Sequence, residues 1–203
     1  MRAAALRLPA KSTLWALALS LLALPALAQE HGGGLREARP APPPSGRSGF
    51  FIAGGLGGGY ESFKTDGFEW TDEELGATFH LKLGGTPSPM VRLGGELAGW
   101  GTDEAGIEEY VGSLMGIVQL YPSPASGFFL KAGAGFSYFN QQFFDGFYWV
   151  EVDDNGFGFD LGAGWDFRVS GGLTIGPVFD YTQHDFGEFK ERIWSFGVSI
   201  GSL

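Results

Sequence analysis

From residue 49 to the end of the chain, apolar side chains recur at every second position in eight separate segments, and no helical heptad is visible in any of them. Alternation of this kind marks strands with one apolar face, because successive side chains of a strand point to opposite sides. The segments are residues 49–60, 75–83, 90–100, 110–121, 128–139, 157–169, 173–182 and 193–203. Residues 75–83 are the cleanest, with Leu75, Ala77, Phe79, Leu81 and Leu83 set against Gly76, Thr78, His80 and Lys82. Residues 110–121 are apolar on both parities, so pattern alone leaves their facing open. Each segment is long enough to cross a bilayer as a tilted strand, which takes ~9–11 residues.

The connections alternate in kind. GTPSP joins the second and third segments, PSPASG the fourth and fifth, and SGG the sixth and seventh, all of them tight turns. The other connections, residues 61–74, 101–109, 140–155 and 183–192, are longer and acidic. They hold six, four, four and three acids against Lys64, Lys190 and Arg192, so a net charge of −14 sits at one end. Short turns at one end and long loops at the other are the asymmetry of an outer-membrane barrel, with the long loops outward.

What separates a membrane barrel from a soluble one is the less apolar parity. Glycine, serine and threonine dominate it, and glycine weakens a strand that faces water. In the lumen of an eight-stranded barrel, where side chains just fill the space, small residues relieve crowding. The strand charges share this parity: Lys82, Arg92, Lys131 and Arg168 balance Glu96, Asp160, Asp166 and Asp180. Facing lipid, each would cost up to ~2–4 kcal/mol near the midplane. Inside they can pair as a lumen charge network. The apolar parity, exemplified by Phe157, Phe159, Leu161, Ala163, Trp165 and Phe167, is then expected to meet lipid. Tyr60, Tyr110, Tyr138, Tyr181 and Trp194 all fall where a segment meets a long loop, as an interfacial girdle does. Trp100 lies at that level on the inward parity, which points to a bulge or a shifted boundary.

Residues 1–28 place Arg2, Arg7 and Lys11 before an apolar run that ends in Ala26 and Ala28, the three-part pattern of a secretory signal peptide. Residues 29–48, QEHGGGLREARPAPPPSGRS, carry no period and are expected to form a flexible periplasmic tether. The chain has no Cys, which excludes disulfides, thiol catalysis and Cys-based metal sites. Its formal net charge is −10, and −13 without the three leader cations, so nucleic acid is a poor partner.

With a leader, eight alternating segments and turns of two kinds, the chain resembles the eight-stranded outer-membrane β-barrel family that includes the OmpA transmembrane domain and the OmpX and OmpW class. FFIAGGLGGGY, FFLKAGAGFSYF and IWSFGVSIG read like its first, middle and last strands. The resemblance covers residues 49–203 and implies an all-β, eight-stranded antiparallel up-and-down transmembrane barrel in the cell outer membrane. It also implies insertion by the barrel assembly machinery and contact with outer-membrane lipid and lipopolysaccharide. Two features depart from the family. Leu203 ends the chain one position out of phase with Ile200 where an aromatic residue is usual, and no peptidoglycan-binding domain follows the barrel as it does in OmpA.

Chemical motifs are sparse. GGLGGG at 54–59 has neither the Gly-Lys-Ser/Thr nor the helix of a phosphate loop. His80 is expected in the lumen as a polar residue; His184 lies beside Asp185, with Ser195 on the next strand too far along for an evident lipid-modifying triad. TDEE at 71–74 and EVDDNG at 151–156 offer oxygens to calcium but not the spacing of an EF-hand. No catalytic, cofactor or metal residues are assigned. The loop NQQFFDGFYWVEVDDN is the sharpest candidate for surface contact: Asp145-Gly146 is a hairpin signal, and Phe143, Phe144, Phe147, Tyr148 and Trp149 crowd around it. The expectation is a non-enzymatic surface or structural barrel that meets an extracellular partner through residues 140–155. A narrow channel for water, ions or small solutes, a soluble cup with an apolar ligand, and a lipid A-modifying enzyme remain as alternatives.

Overall fold

The computed structural model describes residues 47–65, 67–104, 107–144 and 147–202. The leader (1–28) and all of the tether (29–48) but Arg47 and Ser48 lie outside the described residues, as do Asp145, Gly146 and Leu203. Nine strands follow in chain order: β1 Gly49–Thr65, β2 Glu74–Ser88, β3 Val91–Glu104, β4 Ile107–Leu120, β5 Phe128–Phe144, β6 Trp149–Trp165, β7 Phe167–Ser170, β8 Leu173–Asp185 and β9 Phe189–Ser202. Consecutive strands pair antiparallel except β6 and β7, β1 closes on β9, and β8 pairs with both β6 and β7. The short β7 continues the line of β6 after a break at Asp166, so the sheet is an eight-stave, up-and-down closed barrel. Closure leaves the backbone ladder without the long open edge that bilayer hydrocarbon could not satisfy.

The alternation turns the large apolar residues outward. Phe50, Leu56, Leu75, Leu93, Leu114, Phe136, Phe157, Leu161, Phe179, Phe196 and Ile200 are all exposed on the outer wall. In water such a wall would be an aggregation surface; in lipid it is the solvent-matched face. Register also resolves the ambiguous fourth segment. On β4, Glu109, Val111, Ser113, Met115, Ile117 and Gln119 are buried in the lumen, while Tyr110, Leu114 and Leu120 face out.

Three features differ from the sequence reading. The long connections are largely strand: β5 and β6 stay paired from Tyr138↔Asn155 up to Phe144↔Trp149, and β1 and β9 up to Thr65↔Phe189. Trp100 needs no bulge. It is 1% exposed inside the barrel, in an unshifted register with Thr78 and Val111, and its Nε1 donates to the Gly59 carbonyl at 3.0 Å. Finally, the sixth segment breaks at Asp166, whose backbone N–H donates to the Gly127 carbonyl at 3.0 Å.

Candidate functional site

The lumen is stacked in layers. At its centre β5 places Lys131, whose Nζ lies 2.8 Å from Glu96 on β3, 3.0 Å from Asp160 on β6 and 2.9 Å from Asp180 on β8. Lys82 on β2 joins at 3.9 Å from Glu96. All five side chains are buried. The centre admits them only because neighbours are small: a Cβ at Gly162 would sit 2.0 Å from Asp180 Oδ1. His80 also points inward, with Nε2 3.2 Å from Ser199 Oγ.

A second group closes the turn end. Asp166 accepts from Tyr121 Oη at 2.8 Å and from Arg92 Nη1 at 3.4 Å; Arg92 also reaches the Ser202 carbonyl at 3.2 Å. Beneath lies Arg47, 3.6 Å over the Tyr121 ring and hydrogen-bonded to the Pro124 and Ser126 carbonyls, so this residue packs against the barrel. Phe51, Tyr121, Phe129 and Val178 complete this seal. Arg168, opposite Thr174, is exposed and forms no ion pair with either group among the described residues.

Towards the acidic end Trp100, Val111, Phe139, Phe186 and Ile193 form an apolar cluster, with Phe189 packed on them and its ring centre 4.9 Å from that of Phe186. Between the two apolar clusters lies a pocket of about 40 Å³, lined in part by His80, Glu96, Ser113, Asp160, Thr182 and His184. That is the scale of a few waters, each needing roughly 10–15 Å³.

The sequence reading set His184 beside Asp185, with Ser195 too far along the next strand to join them. The structure gives it another partner: Ser137 Oγ lies 2.6 Å from His184 Nδ1, across β6, where a Cβ at Gly158 would meet both. Asp185 turns outward to Lys190 at 3.1 Å, and Ser195 pairs in register with Asp180. Inward parity on β5 and β8 hinted at the contact, but only the register makes Gly158 the gap between them. His184 is 2% exposed, inside the wall and away from lipid.

At the girdle, Tyr60, Tyr110, Tyr138 and Trp194 are exposed outward, and the rings of Tyr181 and Trp194 lie 4.4 Å apart. Strands of 14 to 17 residues such as β9 and β1 exceed the span of a bilayer, and their excess stands above this girdle. There β1, β4 and β9 turn Glu61, Glu109 and Glu191 inward, 2%, 9% and 0% exposed. Burial, with Glu109 and Glu74 nearby, pushes the Glu61 carboxyl up to about 8. Burial also raises Glu109, against the opposing hydrogen bond from Gln141, and it raises Glu191 well above the usual range together with the charges of Glu61 and Glu109.

On the same end the β5–β6 hairpin carries the expected contact residues. Phe144, Phe147, Tyr148 and Trp149 are 53%, 91%, 65% and 65% exposed, and the Phe144 and Trp149 rings lie 5.6 Å apart. Phe143 is half-buried opposite Val150.

No curated protein sequence matches the chain significantly. Among solved structures, Ail, the attachment invasion locus protein of Yersinia pestis, is similar with a TM-score of 0.55 at 16% identity, over 76% of this chain and 99% of that one. The same protein in complex with the heparin analogue sucrose octasulfate gives 0.53 at 16%, again over 76% and 99%. Neisserial surface protein A gives 0.50 at 14%, over 75% of this chain and 97% of that one. At these identities the likeness is one of fold. The family model described as outer membrane protein beta-barrel domain matches residues 14–200. An outward apolar wall, a polar lumen and that match agree: the chain belongs to the outer membrane protein β-barrel family, and it resides in the cell outer membrane.

Proposed function

We propose that this barrel works at the cell surface as a closed, non-conducting, non-enzymatic protein, with the β5–β6 hairpin as its contact element. The observation that carries the reading is the hairpin itself. Its strands continue in register beyond Tyr138 and end in exposed Phe144, Phe147, Tyr148 and Trp149. Glu151, Asp153 and Asp154 follow on the same hairpin, within the end that bears the net charge of −14. An aromatic tip on an acidic stem suits a basic protein surface with apolar patches, since aromatic anchors supply most contact energy and charge supplies steering. The Ail complex holds a heparin analogue, a polyanion. The rim charge here favours a ligand of opposite sign.

In this reading the leader delivers the chain to the periplasm, the assembly machinery inserts it, and the acidic end faces outward, against lipopolysaccharide. The buried Ser137–His184 pair then serves packing, because nothing on the lipid side can reach it. The apolar faces point outward and the lumen is polar, which leaves no apolar-ligand cup.

Cells displaying the protein should be retained on a polylysine–tyrosine copolymer surface and not on heparin. The triple change Phe147→Ser, Tyr148→Ser, Trp149→Ser should reduce apparent affinity by about tenfold or more, as loss of aromatic anchors does, with the heat-dependent gel shift of the folded barrel preserved. Equal retention of the variant would sink the hairpin assignment. Planar-bilayer recordings test the closed state: silence is expected, and stepwise conductance would favour the channel alternative.

A further inference from the structure

We propose that Lys64, Lys190 and Arg192, set on the outer wall by β1 and β9 just above the aromatic girdle, bind the phosphorylated headgroup of an outer-leaflet lipid of the lipopolysaccharide class. Cations are scarce at this end. The four long connections hold 17 acids and only these three bases. Of the other cations from residue 49 onward, Lys82, Arg92 and Lys131 are buried in the lumen, and Arg168 lies at the turn end.

Register gathers the three on one face. Tyr60 pairs with Trp194, Ser62 with Arg192 and Lys64 with Lys190, while Glu61, Glu191 and Ile193 between them are buried. β8 adds Tyr181, Gln183 and Asp185 to the same rows. Because faces alternate along a strand, Arg192 and Lys190 share the outward side of exposed Trp194. The two cationic rows stand ~7 and ~13 Å along the strands above the aromatic row, and a strand tilt of ~35–45° reduces their height over it. The headgroup layer is ~5–8 Å deep, and flexible lysine stems reach back down to it.

The side chains are prepared for an anion. Arg192 Nε donates to Ser62 Oγ at 2.8 Å and its guanidinium lies 4.3 Å over Trp70, which fixes the fork while its two terminal nitrogens donate to none of the described residues. A fork held this way suits a phosphate bidentately. Lys190 pairs at 3.1 Å with Asp185, both partly exposed. An exposed pair contributes little, so a phosphate can share the lysine. Asp185 is the one acid that register sets in these rows, against three bases. An end with a net charge of −14 otherwise repels anionic headgroups, so this cationic column decides which side of the barrel meets them. The aromatic row beneath, with the Tyr181 and Trp194 rings 4.4 Å apart, continues the site into hydrocarbon and favours a lipid over free phosphate.

The site rests on the outward orientation of the acidic end proposed above, and not on the hairpin contact. The full chain without its leader, folded in detergent micelles with chelator present, is titrated with diphosphoryl lipid A by thermophoresis. One saturable site is expected, weakened by about tenfold or more in the triple variant Lys64→Gln, Lys190→Gln, Arg192→Gln, because charge-assisted hydrogen bonds are lost. Arg168→Gln, at the turn end, should bind as the parent does. Lipid A stripped of both phosphates should bind more weakly by a similar factor, and excess inorganic phosphate should not compete. The heat-dependent gel shift certifies folding, and Lys64→Gln with Lys190→Gln carries the test if the triple variant fails to fold. Equal affinity of the folded variant, equal binding of the stripped lipid, or displacement by inorganic phosphate overturns the proposal. Retention of cells through the hairpin is read separately, so either result can fail alone.

Discussion

At the scale of single residues, Lys131 is the side chain on which the interior most depends. Its ammonium is fully buried and contacts Glu96, Asp160 and Asp180, with Lys82 the only other cation in the central group among the described residues. Removing one member of a buried ionic group leaves uncompensated charge, which typically costs ~3–5 kcal/mol. Lys131→Met should therefore lower the unfolding free energy by that amount, read from urea denaturation of the barrel in micelles. Gly162→Ala acts on the same group indirectly, because its methyl would occupy the position of Asp180 Oδ1. A stability equal to the parent in both variants would show that the network contributes nothing. Parity alone marks Lys82, Glu96, Lys131, Asp160 and Asp180 as inward, and Arg168 with them. Parity says which way a residue points and not how far along the axis the filled lumen extends, so a rim residue and a central one look alike in sequence.

At the scale of elements, alternation is reliable where one face meets lipid and fades where both faces meet water. Residues 140–144, NQQFF, and 149–155, WVEVDDN, mix polar and aromatic side chains on both parities and read as loop, yet they continue β5 and β6 without a register shift. Above the girdle nothing forces one face to be apolar, so the backbone ladder persists while the pattern disappears. Within the bilayer the constraint returns. Leu56 lies midway along β1, 72% exposed on the outer wall and opposite Phe79 and Val198. Leu56→Arg should destabilise the barrel by ~2–4 kcal/mol, as a midplane cation does. The check is the folded fraction after refolding into liposomes, compared with Leu56→Ala. A cost near zero would place Leu56 outside the hydrocarbon.

At the scale of the whole molecule, the absence of Cys makes topology directly measurable. In intact cells, a membrane-impermeant maleimide should label Phe147→Cys and not Arg168→Cys; both positions are exposed, at opposite ends of the barrel. Labelling of Arg168→Cys alone would invert the orientation. The sequence by itself determined the fold class, the number of staves, the outward face of nearly every strand and the end at which charge accumulates. Each of these follows from local periodicity and composition, which the bilayer imposes residue by residue. Only the tertiary structure decided which inward residues meet: Ser137 with His184 across Gly158, Trp100 with the Gly59 carbonyl, and Arg47 over Tyr121. Those contacts join staves that are distant in the chain or separated by another stave, and they depend on the register of every pairing between them, which no local pattern encodes.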